Sequence, residues 1–253
     1  MSKIVLITGA SSGIGKACAQ VYAENQFNLV ITGRRAEKLN ALKAELEQKY
    51  SVKVMTLVFD VRERAIVERE LTALPEDWKK VDILINNAGL SQGLDPIQNG
   101  SFDDWDTMID TNVKGLLYVS KIVSNWMIAQ KSGHIINIGS IAAKEVYANG
   151  NVYCASKHAV DALNKAMRID LLPYGIKVTG IHPGAVETEF SVVRFHGDET
   201  KAAKVYEGYE PLVAQDIAET IFFTTSRPAH VNINDLVIMP TAQASAFYWN
   251  KNS

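Results

Sequence analysis

Short runs of β-branched and other apolar residues alternate with longer segments of helical periodicity along most of this chain. The apolar runs are nearly continuous, which is the pattern of strands buried on both faces of a parallel sheet. Repeated strand–helix units favour right-handed crossovers. We therefore predict a doubly wound α/β fold, with about seven parallel strands and helices on both faces of the sheet. The predicted strands are residues 3–8, 28–32, 54–59, 81–85, 134–138, 176–181 and 236–239.

Helical periodicity predicts helices over 13–25, 36–49 and 62–74, and two longer, broadly apolar helices over 108–129 and 153–172. No repeat or Pro/Gly/Ser-rich linker divides the chain, so residues 1–253 are expected to form a single domain. Residues 183–211 have no clear period and are too long for an ordinary connection, which predicts a substrate lid. Residues 240–253 are expected to form a C-terminal tail.

Composition narrows the classes of partner. The 26 basic and 28 acidic residues are dispersed, and their formal net charge of −2 gives no support for binding to nucleic acid or to a membrane surface. No apolar run approaches the ~20 residues of a membrane span, and no signal peptide is visible, so we expect a cytoplasmic protein. Cys18 and Cys154 belong to no pairing or metal-binding motif, so both are expected to be small buried side chains, with no metal site.

A glycine-rich turn, Thr8-Gly9-Ala10-Ser11-Ser12-Gly13-Ile14-Gly15, separates the first predicted strand from the first predicted helix. Such glycines let the backbone approach a pyrophosphate, and the following helix N-terminus offers free N–H groups to that anion. The spacing G-x-x-x-G-x-G differs from the common G-x-G-x-x-G, which leaves a plain glycine-rich turn as the alternative. The residues predicted to contact a dinucleotide here are Gly9, Ser11, Ser12, Gly13, Ile14 and Gly15.

The end of the second predicted strand indicates which dinucleotide is bound. NAD-binding proteins usually place an acidic residue there for the ribose 2′-OH, but this chain has Thr32-Gly33-Arg34-Arg35. Two guanidinium groups suit a 2′-phosphate dianion, so the sequence predicts NADP(H). The alternative is that Arg34 and Arg35 only cap a solvated turn.

Two more strand ends fit the same ligand. Asp60 and Val61 follow the third strand, where a carboxylate can accept a hydrogen bond from the adenine amino group. Asn87-Ala88-Gly89 follows the fourth strand, and its small residues let backbone approach a cofactor. For Asn87, locking neighbouring strands together is an equally good interpretation.

A proton-transfer site is predicted around Tyr153 and Lys157. Residues at i and i+4 share a helix face, and a nearby ammonium favours the phenolate of a tyrosine. Ser140 ends the fifth strand, where ligands of open α/β sheets bind, and can hydrogen-bond a reacting oxygen. Asn112 falls in a helix, where it either supports a proton relay to Lys157 or marks a kink without chemical function.

These motifs, in this order and spacing, resemble the short-chain dehydrogenase/reductase family over nearly the whole chain. The resemblance implies a single Rossmann-type domain and a catalytic tetrad, in which Tyr153 is the general acid/base and Lys157 lowers its pKa and holds the nicotinamide ribose. Ser140 would orient the substrate and Asn112 would support the relay. It also implies a homotetramer built on the two long apolar helices. Four further residues would contact the nicotinamide half of the cofactor: Pro183, Gly184, Val186 and Thr188.

Within the family, residues 188–195 and 228–241 resemble the NADP-dependent 3-hydroxy acid (serine/allo-threonine) dehydrogenases. That resemblance implies an enzyme that interconverts a small 3-hydroxy acid and its 3-oxo acid. A carboxylate substrate needs a cationic partner, for which Arg194 is the candidate; an ordinary surface charge is the alternative. Two other functions stay open: reduction of a bulkier carbonyl compound, and an NADPH-binding sensor without turnover.

Overall fold

The computed structural model describes residues 2–251, so Met1 and the last two residues of the predicted tail, Asn252 and Ser253, lie outside the described part. The strands are β1 (Ile4–Ile7), β2 (Asn28–Gly33), β3 (Val54–Val58), β4 (Ile83–Asn86), β5 (Gly133–Ile138), β6 (Ile176–Pro183), β7 (Val186–Glu187), β8 (Leu212–Val213) and β9 (Asp235–Ile238). The α-helices are α1 (Gly13–Glu24), α2 (Ala36–Tyr50), α3 (Arg64–Thr72), α4 (Phe102–Ile109), α5 (Leu116–Gln130), α6 (Asn151–Leu171), α7 (Phe190–Arg194), α8 (Glu199–Lys204) and α9 (Ala214–Thr225).

Seven strands form one parallel sheet in the order β3-β2-β1-β4-β5-β6-β9, and β7 pairs with β8 as a separate two-stranded sheet. The seven predicted strands are therefore confirmed, with ends that differ by one or two residues. The order reverses between β1 and β4, and open α/β sheets bind ligands outside the carboxyl ends of their strands at this switch point. The topology thus places the ends of β1 and β4 at the centre of a predicted binding edge.

Each face of the sheet is covered by its own hydrophobic cluster. Along β1, Val5 and Ile7 pack in one cluster with residues of α1, α2 and α9. Ile4 and Leu6 point to the other face and pack with residues of α3 and α5. Because both faces are buried, every position of β1 is apolar, which explains why the strand reads as a continuous run.

Two predictions about the connections need correction. Residues 183–211 are not without regular structure, because they contain β7 and the short helices α7 and α8. The predicted helix over 108–129 is present but is not α-helical throughout, because a π-helical turn at Asp110–Gly115 lies between α4 and α5. The single-domain organisation and the movement of the 183–211 segment stay predictions.

Both cysteines are free and buried, as the sequence predicts. Burial raises the pKa of the Cys154 thiol, so it behaves as a packed side chain rather than as a nucleophile. Within residues 2–251, none of the helices has the length and apolar character needed to cross a membrane.

Candidate active site

The glycine-rich turn, called here the phosphate loop (residues 8–15), requires glycine at three positions, for two different reasons: backbone conformation and close packing. Gly9 and Gly13 have φ values of +68° and +52°, which favour glycine. A Cβ on Gly15 would lie 2.4 Å from the Gly9 carbonyl oxygen and 2.5 Å from Asn87 Nδ2. The loop residues that line the cleft at the N-terminus of α1, where an anion can bind, are Gly9, Ser11, Ser12, Gly13 and Ile14.

Asn87 holds this loop against the end of β4. Its Nδ2 donates to the carbonyl oxygens of Thr8 and Gly9, at 2.9 and 3.1 Å. The Thr8 hydroxyl oxygen accepts hydrogen bonds from the backbone N–H groups of Asn87 and Ala88, each at 3.0 Å. These contacts favour the strand-locking interpretation of Asn87, and direct contact with a cofactor stays a prediction.

The two arginines after β2 have different surroundings. Arg34 is 60% exposed, and its nearest acidic partner is Asp60 Oδ2 at 3.8 Å. Arg35 instead donates to the hydroxyls of Ser11 and Ser12 and to Glu189 Oε2, at distances of 2.7–3.1 Å. Arg34 therefore makes fewer and longer polar contacts than Arg35, and more of its N–H groups are available to a ligand.

Asp60 is already bound by the chain itself. Its Oδ2 accepts from Arg62 Nε and Nη2 at 3.0 and 2.7 Å, and its Oδ1 accepts from the Arg62 backbone N–H at 3.0 Å. Burial raises the pKa of this carboxyl, but the Arg62 hydrogen bonds and charge outweigh burial and hold the pKa below its ordinary value. Asp60 is thus an anion at neutral pH, and its predicted contact with adenine stays a prediction.

Tyr153 and Lys157 point into one cleft from α6, next to the end of β5. Lys157 is buried, and its Nζ donates to the Ile138 carbonyl oxygen at 2.9 Å. Burial lowers the pKa of Lys157 to about 8. Ser140 follows β5 in extended conformation, and its Oγ accepts from the Ala142 N–H at 3.1 Å.

Burial dominates the ionisation of Tyr153. It raises the pKa of the phenol well above its ordinary value, and the neighbouring Tyr147 raises it further, whereas the Arg194 charge and the Ser140 hydroxyl lower it. Lys157 Nζ lies 6.0 Å from the ring centroid. The predicted lowering of this pKa by Lys157 is therefore not met in the protein alone, because desolvation of the phenolate is the larger effect.

Asn112 lies in the π-helical turn and anchors a neighbouring loop. Its Oδ1 accepts from the Leu90 N–H at 2.9 Å, and its Nδ2 donates to the Leu90 carbonyl oxygen at 2.8 Å and to Ser156 Oγ at 3.0 Å. A Cβ on Gly89 would lie 3.2 Å from Asn112 Oδ1 and 3.4 Å from Lys157 Nζ. Asn112 thus orders the backbone beside Lys157, and its relay function stays a prediction.

Arg194, at the end of α7, stacks on the tyrosine from the other side. Its Cζ lies 5.3 Å from the ring centroids of both Tyr153 and Phe190. Its Nε donates to Ser91 Oγ at 3.1 Å and its Nη2 to Tyr147 Oη at 3.0 Å. No carboxylate pairs with Arg194 within residues 2–251.

A cleft of about 310 Å³ joins the phosphate loop to Tyr153. Of the residues predicted to form the site, only three do not line it: Gly15, beneath the phosphate loop; Asn112, which lies behind Leu90; and Arg194, which lies beside the cleft. The remaining predicted residues that line the cleft are Gly9, Ser11, Ser12, Gly13, Ile14, Arg34, Arg35, Asp60, Val61, Asn87, Ala88, Gly89, Ser140, Tyr153, Lys157, Pro183, Gly184, Val186 and Thr188.

Sequence reasoning missed several lining residues and contacts. Tyr147 and Ser91, which hold Arg194, carry no motif in the sequence. Glu189 lies within a stretch that resembles known dehydrogenases, yet nothing in its sequence position indicates a contact with Arg35. The further lining residues that were not predicted are Gly33, Phe59, Leu90, Thr111, Ile138, Gly139, Glu189, Phe190 and Val193.

A second polar cluster lies behind the β5 and β6 ends. The ligand atoms of Asp161, His182 and Asp235 all lie within 4.8 Å of one another, close enough to hold a metal ion. However, Lys144 Nζ and Lys165 Nζ already bind the Asp161 carboxylate at 2.8 and 2.6 Å. Because these cations balance the acids, the cluster is an ion-pair network that joins α6 to β6 and β9.

Comparison with known proteins identifies relatives that match nearly the whole chain. A family model for short chain dehydrogenases matches residues 3–198. The chain is 47% identical over 244 residues to NADP-dependent 3-hydroxy acid dehydrogenase YdfG of Salmonella typhi, covering 96% of this chain and 97% of that protein. It is 46% identical over 249 residues to sulfoacetaldehyde reductase 2 of Chromohalobacter salexigens, covering 98% of each.

A solved structure is similarly close. The closed form of serine dehydrogenase complexed with NADP+ superposes with a TM-score of 0.92 at 42% identity, covering 99% of this chain and all 100% of that one. The similarity therefore extends over the whole fold, including the segments that surround the cleft.

Proposed function

This chain belongs to the short-chain dehydrogenase family, and we propose that it is an NADP(H)-dependent oxidoreductase for small 3-hydroxy acids. The reaction is the interconversion of a 3-hydroxy acid and its 3-oxo acid, for which NADP(H) accepts or supplies the hydride. One observation carries the proposal: Tyr153, Ser140 and Lys157 meet in the cleft that also contains the phosphate loop. A binding protein without turnover has no need of this arrangement.

NADP(H) fits the residues present. The absence of a side chain at Gly15 lets the start of α1 pack directly against Gly9, and Gly9 and Gly13 line the cleft, where their backbone is available to a pyrophosphate. The Ser12 side chain does not cap α1, which leaves the helix N-terminus available to an anion. Arg34, exposed at the mouth of the cleft, suits the 2′-phosphate.

Three side chains of the cleft have different functions in proton transfer to and from the substrate. We assign Tyr153 as the acid/base that exchanges a proton with the substrate oxygen, and Ser140 as the donor that orients that oxygen. Lys157, with a pKa of about 8, carries a positive charge at neutral pH and so favours the phenolate form of Tyr153. Because burial raises the pKa of Tyr153, proton transfer from substrate depends on such positive groups.

Arg194 is our candidate for binding the substrate carboxylate. It is half-buried beside Tyr153, and the part of the chain that the structure describes binds only its Nε and Nη2, through Ser91 and Tyr147. N–H donors therefore remain on the guanidinium for an oxyanion. A sulfonate offers the same oxygens, so short sulfonated aldehydes belong in the substrate panel, where they are assayed by oxidation of NADPH.

The substrate class is tested by following NADP+ reduction with L-allo-threonine, serine and 3-hydroxypropionate, beside a steroid alcohol. We expect turnover with the 3-hydroxy acids, and a KM for them that rises at least tenfold in Arg194→Ala with less change in kcat. An unchanged KM would remove Arg194 from substrate binding. Turnover with the steroid alone would favour the bulkier-substrate alternative.

Catalysis is tested separately from binding with Tyr153→Phe. This variant keeps the ring and its packing, so it should bind NADPH like the wild type while turnover falls at least a thousandfold. Wild-type protein that binds NADPH but turns over no member of the panel would favour the sensor alternative.

We also propose a cytoplasmic homotetramer. The assembly is supported by large apolar side chains that are each more than 70% exposed. They are Phe102 in α4, Ile169 in α6 and Leu172 directly after α6. A monomer in sedimentation at micromolar concentration would refute the assembly.

A further inference from the structure

Glu189 links two parts of the molecule that are far apart in sequence. It lies in the 183–211 segment, directly before α7, while its partners lie at the start of α2. Arg35 Nη1 donates to Glu189 Oε2 at 2.8 Å, and Lys38 Nζ donates to Glu189 Oε1 at 2.8 Å. Hydrogen bonds from Lys38 and Arg35 lower the pKa of Glu189 to about 2, so the carboxylate is charged at neutral pH.

The same contact extends to the phosphate loop. Arg35 donates through Nε and Nη2 to Ser11 Oγ and through Nη2 to Ser12 Oγ, at 2.7–3.1 Å. Next to Glu189, the Thr188 side chain lies 3.4 Å from the position that a Cβ on Gly13 would take. The 183–211 segment is therefore tied across the mouth of the cleft, directly over the phosphate loop.

The two arginines differ in how many of their guanidinium N–H groups are still available to a ligand. Four N–H contacts of Arg35 go to Ser11, Ser12 and Glu189, out of the five N–H groups of a guanidinium. Among residues 2–251, Arg34 makes one long ion-pair contact, to Asp60 at 3.8 Å, and Arg62 already binds that carboxylate at 2.7 Å. A 2′-phosphate needs a guanidinium with free donors, and Arg34 is the one that provides them.

We infer that Glu189, Arg35 and Lys38 form a clasp that controls entry and exit of the dinucleotide, separately from the 2′-phosphate contact already proposed for Arg34. The clasp is closed in the protein alone, so it opens before nucleotide enters and again before nucleotide leaves. The clasp closes again around bound nucleotide, so its contacts are the same in the free and the nucleotide-bound protein. Contacts that are equal in both states change the rates of entry and exit rather than the affinity. The clasp therefore acts on both dinucleotides alike, whereas Arg34 acts only on the phosphorylated one.

Release kinetics test the inference. The fluorescence of bound NADPH or NADH is followed in stopped flow after displacement with excess oxidised nucleotide, and Kd values are measured by titration. Glu189→Gln should release both nucleotides about threefold to tenfold faster, with Kd changed less than twofold. The matched control is Glu187→Gln, which removes an equally exposed carboxylate that makes no ion pair within residues 2–251 and should leave release unchanged.

Two further variants make the result specific. Lys38→Met should give part of the effect of Glu189→Gln, and the double variant should release nucleotide no faster than Glu189→Gln alone, because the two residues act through one contact. Arg34→Ala should weaken NADPH at least tenfold and leave NADH unchanged. Circular dichroism confirms that each variant is folded.

Three results would overturn the inference. Release from Glu189→Gln at the control rate would show that the clasp does not limit exit. An effect on NADPH alone would show that Glu189 acts at the 2′-phosphate. Tighter NADPH binding without faster release would show that Glu189 is only a competing anion at Arg35.

Discussion

Gly15→Ala tests the idea that the phosphate loop is shaped by contact with the β4 end. The added methyl would lie 2.4 Å from the Gly9 carbonyl oxygen and 2.5 Å from Asn87 Nδ2. Side-chain carbons do not approach oxygens closer than about 3.0 Å, so the backbone would have to separate by at least about 0.6 Å. The loop that receives the pyrophosphate is the part that would move.

The energetic cost follows from this displacement. Overpacking costs about 1–3 kcal/mol, and the upper half of that range applies because the methyl meets a backbone oxygen that cannot rotate away; replacing glycine by alanine in a helix returns just under 1 kcal/mol. We expect a net loss of about 1–2 kcal/mol in the free energy of unfolding, which lowers the Tm of a chain of this size by roughly 2–8 °C. NADPH should bind at least tenfold more weakly, because its phosphate site depends on backbone positions.

Thermal melts and NADPH fluorescence titrations measure the two effects. Gly33→Ala is the control for the melts, because a Cβ there would meet Ser11 Oγ at 3.6 Å and Leu39 Cδ1 at 3.7 Å, which are ordinary contacts. Its Tm should stay within about 2 °C of the wild type. A Gly15→Ala protein with wild-type Tm and NADPH affinity would refute the packing argument.

Three other substitutions have expected outcomes. Arg34→Asp should reverse the preference of kcat/KM from NADPH to NADH, since a carboxylate repels the 2′-phosphate and accepts from a 2′-OH; an unchanged preference would contradict the assignment. Thr8→Val should lower the free energy of unfolding in urea by about 1–3 kcal/mol, since it leaves the Ala88 N–H unpaired, while the Asn87 N–H keeps its bond to the Ile85 carbonyl oxygen. Asn112→Ala should cost a similar amount in urea, and a loss below about 0.5 kcal/mol would mean that water replaces its bonds to Leu90.

The sheet and the phosphate loop could be predicted from sequence because local signals specify them. A strand buried on both faces has to be apolar at every position, as the alternation of Ile4, Val5, Leu6 and Ile7 between the two clusters shows. The carboxyl ends of such strands share one edge of the sheet, so motifs that follow them converge without any long-range information. Ser140 was predicted in this way, whereas Tyr153 was predicted from its i, i+4 spacing to Lys157 on one helix face.

Other features depend on contacts that leave no local signal. Arg35 and Glu189 are separated by 154 residues, and either could have been an ordinary surface charge. The π-helical turn at Asn112 keeps the composition of a helix, so periodicity could not distinguish it. The rise in the Tyr153 pKa comes from burial beneath segments such as α7, which had no recognisable period.

Lys157 shows how this burial affects stability as well as chemistry. Its pKa is lowered from 10.5 to about 8 because the ammonium is desolvated. Between these pH values the unfolded chain holds a proton that the folded chain has lost, so the free energy of unfolding rises with pH. The difference of about 2.5 pKa units corresponds to about 3 kcal/mol, a cost that is complete below pH 8 and disappears towards pH 10.5.

Lys157→Met removes this charge while filling the same space. At pH 7 the variant should be about 2 kcal/mol more stable than the wild type, because relief of the burial cost exceeds the loss of about 1 kcal/mol from the hydrogen bond to Ile138. Urea unfolding of both proteins from pH 7 to pH 10 should show the gap closing as the pH rises. Tyr153 does not disturb this comparison, because burial raises its pKa well above its ordinary value and keeps the phenol protonated in both folded proteins over this range. A gap that does not change with pH would mean that Lys157 is well solvated in the folded protein, and its assigned effect on Tyr153 would then be far weaker than burial in the cleft implies.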